Sequence, residues 1–292
     1  MKTVNNVSGG RTSAYIAANY PSDYNLFALV RTNDKKCMYP DKKIRQIVSD
    51  KINTDFIGTL EDDKIIHTML DMEQFIGSKI DWVTSKYTFD EIIEHKKTMP
   101  NVSQRFCTSM LKIEPMQYWW FKNFKEAIET RIGFRANEEK RAKKTLSNLN
   151  ENGYVTAKLI VGKHKNGNNK WKDFNWQKPT FPLIQDKIFR DDVEEFWKNK
   201  PVRFSPINNC VGCFHQNPIL LRKRFDWHPN KMQWFSDQEK KSQNYRPKIG
   251  GKRSQYTKWK SNYLYEDIKN HKLQLNLFES DFNECDSGHC GL

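Results

Sequence analysis

A two-glycine turn, Ser8-Gly9-Gly10-Arg11-Thr12-Ser13, stands between the first β-branched run (residues 2–7) and a helical pattern over residues 12–19. No other segment constrains the fold as strongly. A strand that runs through glycines into a helix opens a βα unit. Two glycines let the backbone turn tightly and admit an anion without interference from a Cβ. The hydroxyls of Ser8, Thr12 and Ser13, with the free N–H groups of a helix N-terminus, are donors that such an anion would use. The same turn would also serve as a plain connection with a Ser or Thr cap, and by itself it leaves both readings open.

The alternation continues along the chain. Residues 25–30 read as a strand and 41–52 as an amphipathic helix carrying Ile44, Ile47, Val48 and Ile52 on one face. Residues 54–58 read as a short strand, 62–76 as a helix, 80–84 as a strand and 88–95 as a helix. This rhythm predicts an α/β fold, a parallel sheet with helices on both faces. Residues 108–124 read as a helix interrupted near Pro115, 127–134 as a strand ending at Gly133, and 135–152 as helix plus exposed loop. The Gly-, Asn- and Lys-rich stretch 162–175 reads as a mobile insertion. After Pro206 cysteines and basic aromatic helices (219–225 and 232–241) take over. The expected division is an α/β domain over 1–200 and a basic, aromatic, Cys-containing region over 201–292.

Charge narrows the partners. The chain has 49 Lys+Arg against 35 Asp+Glu, a net charge of +14, with nine Trp, eleven Tyr and eighteen Phe. That balance suits a partner offering phosphates and stackable rings, DNA or tRNA, although surplus lysine also simply solubilises a surface. No apolar run reaches membrane-spanning length and residues 1–6 lack the apolar stretch of a signal peptide, so no membrane and a cytoplasmic location are expected. There a disulfide framework is not expected for Cys37, Cys107, Cys210, Cys213, Cys285 and Cys290. Cys210-Val211-Gly212-Cys213 has metal-knuckle spacing, and Cys285 and Cys290 could complete a Zn²⁺ or iron–sulfur site. His215 and His289, beside the pairs, are second choices as ligands.

The glycine turn lacks the Gly-Lys-Ser/Thr ending of the common P-loop and is not a GxGxxG turn. Ser8-Gly9-Gly10-Arg11-Thr12-Ser13 resembles the SGGxDS loop of the PP-loop ATP pyrophosphatases. Its SGGRTS form is similar to a branch resembling phosphoadenosine phosphosulfate (PAPS) reductases, often carried by phages. Arg105-Phe106-Cys107-Thr108 with Leu111-Lys112-Ile113 resembles that branch's R-[FW]-C-T-x-x-L-K-I signature. Ile132-Gly133-Phe134-Arg135-Ala136-Asn137-Glu138 resembles its G-[IF]-R-x-[DE]-E segment. Phe181-Pro182-Leu183 with residues 192–197 resembles its P-L…D-V-x-x-[FW]-W segment, and Asn209-Cys210-Val211-Gly212-Cys213-Phe214 its N-C-x-x-C-F element. The matches are in order and cover residues 4–214.

The resemblance implies a Rossmann-like, adenine nucleotide alpha-hydrolase-like fold. ATP or a related adenine nucleotide, with Mg²⁺, would be held by Ser8, Gly9, Gly10, Arg11, Thr12, Ser13 and Arg135. Arg105, Cys107 and Lys112 would be catalytic. In the family's chemistry a substrate oxygen is adenylated, pyrophosphate leaves and a second nucleophile displaces AMP; sulfur transfer to a nucleic acid would fit the charge and the cysteines. Thr12 departs from the family's Asp and offers Mg²⁺ only a neutral oxygen. Arg11 reads either as added charge for the phosphates or as a solvated side chain. Cys107, beside Arg105 at a helix start, is expected to have a lowered thiol pKa, as a nucleophile or sulfur carrier needs. It reads equally as a ligand completing Cys210 and Cys213, or as a small buried residue. Two rivals remain. One is a sulfonucleotide reductase, whose E-C-G-[IL]-H tail has its residue types in another order in 284–292. The other is a nucleotide- or nucleic-acid-binding protein without catalysis, which Thr12 favours.

Overall fold

The structure, a computed structural model, describes residues 1–206, 209–244 and 257–271. Six strands, β1 (Thr3–Asn6), β2 (Tyr24–Leu29), β3 (Ile80–Thr84), β4 (Ile128–Arg131), β5 (Val155–Lys163) and β6 (Asn169–Thr180), form one sheet in the order β3-β2-β1-β4-β6-β5. β1 pairs in parallel with β2 and β4, and β4 with β6, while β5 returns antiparallel to β6. The fold is therefore α/β with a mostly parallel sheet. β2 is buried along almost its whole length, as expected of a parallel strand inside a sheet. From β1 the chain steps outward through β2 and β3, then crosses back to place β4 on the other flank of β1. The order reverses between β1 and β4, and there the carboxyl ends of an α/β sheet open a crevice for ligands.

Two local expectations are corrected, and a third, the helix interrupted near Pro115, is met. Residues 54–58 form no strand: Gly58 makes only isolated bridges with Thr32 and Met38. A Cβ on Gly58 would stand 2.0 Å from the Cys37 carbonyl oxygen, so a close backbone approach rather than a ladder fixes this segment. Residues 162–175 are not a loop insertion but most of a hairpin. Its Gly and Asn residues concentrate at the turn, where His164 N–H donates to the Asn168 carbonyl at 2.8 Å and Gly167 takes φ +81°. The helix expected over 108–124 comes in pieces: Phe106–Thr108, a π-helical turn Ser109–Ile113, and Glu114–Asn123. Pro115 has no N–H for the carbonyl four residues earlier, and the helix widens just ahead of it.

The chain forms two compact units, each assembled from three segments. The first takes Met1–Ala28, Lys64–Val83 and Glu114–Phe204. In it the helix Arg11–Asn19 packs against helices Lys64–Ile76 and Arg190–Trp197, with Tyr15 edge-on to Phe196 at 5.0 Å. The second takes Leu29–Asp63, Thr84–Ile113 and Ser205–Leu292, so it draws also on the chain before residue 200. Its core is aromatic: Phe89, Trp234, Phe235, Trp259 and Tyr265 are buried together with Leu111 and Val211. Among the described residues no helix is long and apolar enough to cross a membrane.

Candidate functional site

In the first unit, β1 ends at Asn6 and the Val7 N–H donates to the Leu26 carbonyl at 2.8 Å, which carries the chain to the carboxyl end of the sheet before it turns. Gly9 takes φ +80°, a conformation that L side chains rarely adopt, and a Cβ on it would meet Ile65 Cγ2 at 2.8 Å. Gly10 is different. Its φ of −90° is open to any residue, and it is the N-cap of helix Arg11–Asn19 without a capping side-chain bond. Ser13 Oγ donates back to the Gly10 carbonyl at 3.0 Å and accepts from Ser8 N–H at 3.1 Å, so the turn is closed by its own hydroxyl. The helix has no acidic residue in its first turn. An uncapped helix start with its positive dipole end and no local carboxylate favours an anion.

The segment after β4 lies against this turn. A Cβ on Gly133 would stand 3.3 Å from Thr12 Cγ2. Phe134 stacks on Phe181 (centroids 5.5 Å apart), and the Arg141 guanidinium lies over the Phe134 ring at 4.3 Å. Arg135 Nε pairs with Glu138 Oε2 at 3.0 Å, and Arg141 takes the other carboxylate oxygen. Burial raises the Glu138 pKa, but the Arg135 N–H and the two guanidinium groups outweigh it and hold the carboxyl below its ordinary value. Arg135 is thus oriented by a carboxylate that neutralises part of its charge. Arg11 is engaged too: its Nε is 3.3 Å from Glu194 Oε2 and its guanidinium is 5.3 Å from the Phe204 ring centre.

The second unit holds the cysteines. Cys210 to Cys213 form a tight turn, with Cys213 N–H donating to the Cys210 carbonyl at 3.0 Å. Val211 N–H donates to the Leu60 carbonyl at 2.8 Å, and the Tyr265 hydroxyl to the Gly212 carbonyl at 2.8 Å. A Cβ on Gly212 would lie 2.5 Å from the Phe235 ring, so only glycine fits there. Burial, then Glu61, Cys213 and Cys107 all push the Cys210 thiol pKa up against the pull of Lys112. Burial also raises Cys107, overcoming its hydrogen bonds with Thr108 and the charges of Arg105 and Lys112. The expected depression of the Cys107 pKa is therefore corrected: at this position desolvation outweighs the nearby cations. Cys37 is buried and pushed up to about 12, chiefly by burial, as an inert core thiol would be.

The Nζ of Lys112, a residue that the resemblance makes catalytic, meets the buried Glu61 Oε1 at 2.7 Å. Among the described residues Cys37, Cys107, Cys210 and Cys213 form no disulfide. Cys107, Cys210 and Cys213 share one electrostatic neighbourhood, yet among the described residues no three His, Cys, Asp or Glu side chains are arranged as a metal shell. Cys285, Cys290 and His289 lie outside the described residues. His215 packs against the Phe214 ring at 4.6 Å.

No family model, curated protein or solved structure matches this chain. Its site must be read from its own residues.

Several of those residues escaped the sequence reading. Glu61, Asp62 and Asp63 are consecutive acids in a basic chain, a signal that was available. Glu61 and Asp62 are buried. Lys231 Nζ donates to the Glu61 carbonyl at 2.6 Å and to Asp63 Oδ1 at 2.7 Å, and Ser205 Oγ donates to Asp62 Oδ2 at 2.7 Å. Arg224 is 1% exposed, its Nη1 has no hydrogen-bond partner among the described residues, and burial pushes its pKa down to about 10. Asn6, two residues before Ser8, has both side-chain polar atoms buried without a hydrogen bond to any described residue. Such orphaned groups are uncommon in folded chains and commonly meet water or ligand.

Proposed function

We propose that the chain is a PP-loop enzyme of the PAPS-reductase-like kind, binding ATP or a related adenine nucleotide at residues 8–13. The reading goes on to adenylation of a substrate for sulfur transfer or nucleic-acid modification. The observation that carries it is the Gly9 turn at the point where the strand order reverses, feeding an uncapped helix N-terminus. The amides of Gly9 to Ser13 would bind phosphate oxygens, while the Ser8–Ser13 hydroxyl pair holds the turn in shape. Arg135, fixed by Glu138, would sit on the flank and offset charge on the departing pyrophosphate. Mg²⁺ would be held chiefly by the phosphates, since Thr12 supplies only a neutral oxygen.

In the second unit Cys210 and Cys213, with Cys107, are the thiols that a Zn²⁺ ion or an iron–sulfur cluster would take as thiolates; such a centre would supply Lewis-acid or electron-transfer chemistry. Arg105 and Lys112 pull the Cys107 pKa down without overcoming its burial, so metal binding would have to supply the rest of the drive to thiolate.

Gly10→Val tests the nucleotide reading cleanly, because φ at Gly10 imposes no strain on valine. Calorimetric titration with ATP and Mg²⁺ should show binding to the parent and none to the folded variant. Equal affinity in both would overturn the assignment.

A further inference from the structure

The β5–β6 hairpin reaches well past the sheet it belongs to. β6 starts at Asn169, eight residues before Gln177, which pairs with Ile128 at the start of β4. At ~3.3 Å per residue β6 therefore runs about 26 Å past β4. Its inner part, Phe174 and Trp176, packs against Trp120 and Phe121, and its outer part, from Asp173, is exposed. The ribbon leaves from the amino end of β4, the end opposite the glycine turn, because β4 and β6 run parallel. Residues 161–173 are exposed throughout.

Between residues 158 and 173 there are five lysines (Lys158, Lys163, Lys165, Lys170, Lys172) and one acid, Asp173, which pairs opposite Lys158, so this short stretch supplies +4 of the net +14 charge. Register sorts them. Lys170 and Lys172 lie on one face; Lys158 and Lys163 lie on the other with Trp171, which is 50% exposed and paired with Ile160. Lys165 is in the turn. A bulge between Ile160 and Gly162 adds local twist to the ribbon.

Lysines on a free strand edge prevent edge-to-edge pairing. That role does not account for a half-exposed Trp171 and an exposed Val161, which raise the same risk. A docking role accounts for both. We propose that this ribbon is a docking arm for B-form duplex DNA, inserted into the major groove. That groove, about 12 Å wide, admits a two-stranded β-ribbon, whereas the major groove of A-form RNA is too narrow for one. Phosphates line both walls of a groove, which matches lysines on both faces of the ribbon. A single strand would be met by one basic face with several stacking rings, and the ribbon exposes one Trp. The arm does not depend on the nucleotide reading, since it leaves from the other end of the sheet.

The test uses the whole chain and a fluorescently labelled 20-base-pair duplex, with binding read by anisotropy across a salt series. Replacing Lys163, Lys165, Lys170 and Lys172 by Gln should weaken binding at least about tenfold and reduce the salt slope by roughly three to four. Trp171→Ala alone, a milder change to the fold, should weaken binding severalfold with the slope kept. A control variant with Lys35, Lys42, Lys43 and Lys96 changed to Gln should bind nearly as the parent does. An equal loss in that control would mean diffuse charge and overturn the arm, as would unchanged affinity in the ribbon variants. Tighter binding of single-stranded DNA or tRNA than of the duplex would also overturn it. Calorimetry with ATP on the ribbon variants should match the parent, which separates failure of the arm from failure of the nucleotide site.

Discussion

The glycine turn of the first unit and the cysteine turn of the second are both short backbone reversals, but they differ in how far along the chain most of their support comes from. Ser8 to Ser13 is closed on itself by bonds spanning at most five residues, with Ser13 Oγ accepting from Ser8 N–H and donating to the Gly10 carbonyl, and is tied from afar by Trp197 Nε1 donating to the Arg11 carbonyl at 3.0 Å. Cys210 to Cys213 is clamped from far along the chain, by Leu60, Phe235 and Tyr265. The first turn leaves its helix start without a side-chain cap and with no acid in the first helical turn. Around the second turn charge is matched by charge, with Glu61 against Lys112 and Asp63 against Lys231. A turn that is to receive a ligand can be shaped by its own residues, whereas a buried turn takes its shape from the core around it.

The sharpest break of this contrast is Lys112→Met. Glu61 is 3% exposed at its side chain, so losing the ammonium 2.7 Å away leaves a buried carboxylate uncompensated. Breaking buried pairs costs about 3–5 kcal/mol, and the one-third exposure of Lys112 puts the expected loss near the low end, ~3 kcal/mol. Urea denaturation checks it. The double variant Lys112→Met with Glu61→Gln should recover much of the loss, because no unpaired charge then remains. Additive losses would show that the pair is not coupled.

Gly9→Ala is next in size. It forces a side chain into φ +80° and presses a methyl against Ile65 Cγ2, which lies 2.8 Å from the ideal Cβ. Strain and overpacking together should cost about 2 kcal/mol. Hydrogen exchange should show the loss in peptides from Met1–Ala28 and Lys64–Val83. Stability equal to the parent would mean that the turn relaxes, and that its shape is not set by Gly9.

The same contrast explains what the sequence could reveal. Strand, double glycine and helix are local features, so β1, the turn and helix Arg11–Asn19 were legible, as was helix Lys42–Ile52 from its apolar face. The parallel sheet followed from the alternation. The ribbon was missed because Gly162, Gly167 and the Asn residues outweighed the two-residue alternation of Ala157, Leu159, Phe174 and Trp176. The Glu61–Lys112 pair was not legible, since no local pattern says which of 49 basic residues meets a given acid. Burial reversed the reading of Cys107 for a related reason. Arg105 and Lys112 are visible beside it in sequence, but the core that desolvates it is not.

The smallest expected effect sharpens the comparison at the glycine turn itself. Arg11 opens the helix and reads from sequence as charge for a phosphate, yet its guanidinium pairs with Glu194 at 3.3 Å and lies over Phe204. Both members of the pair are 43% exposed, so the bond is worth roughly 0.5 kcal/mol or less. Arg11→Gln should therefore leave the unfolding midpoint almost unchanged. It should also change ATP affinity by less than about threefold, because a charged hydrogen bond to phosphate contributes about 1.5–3 kcal/mol and its loss would cost tenfold or more. Arg135→Gln, measured beside it, should cost more affinity, since the Glu138 clasp holds Arg135 on the flank of the turn rather than across the helix. If Arg11→Gln instead loses tenfold and Arg135→Gln does not, the guanidinium leaves Glu194 for the ligand. The turn would then depend on side-chain charge and not on its backbone.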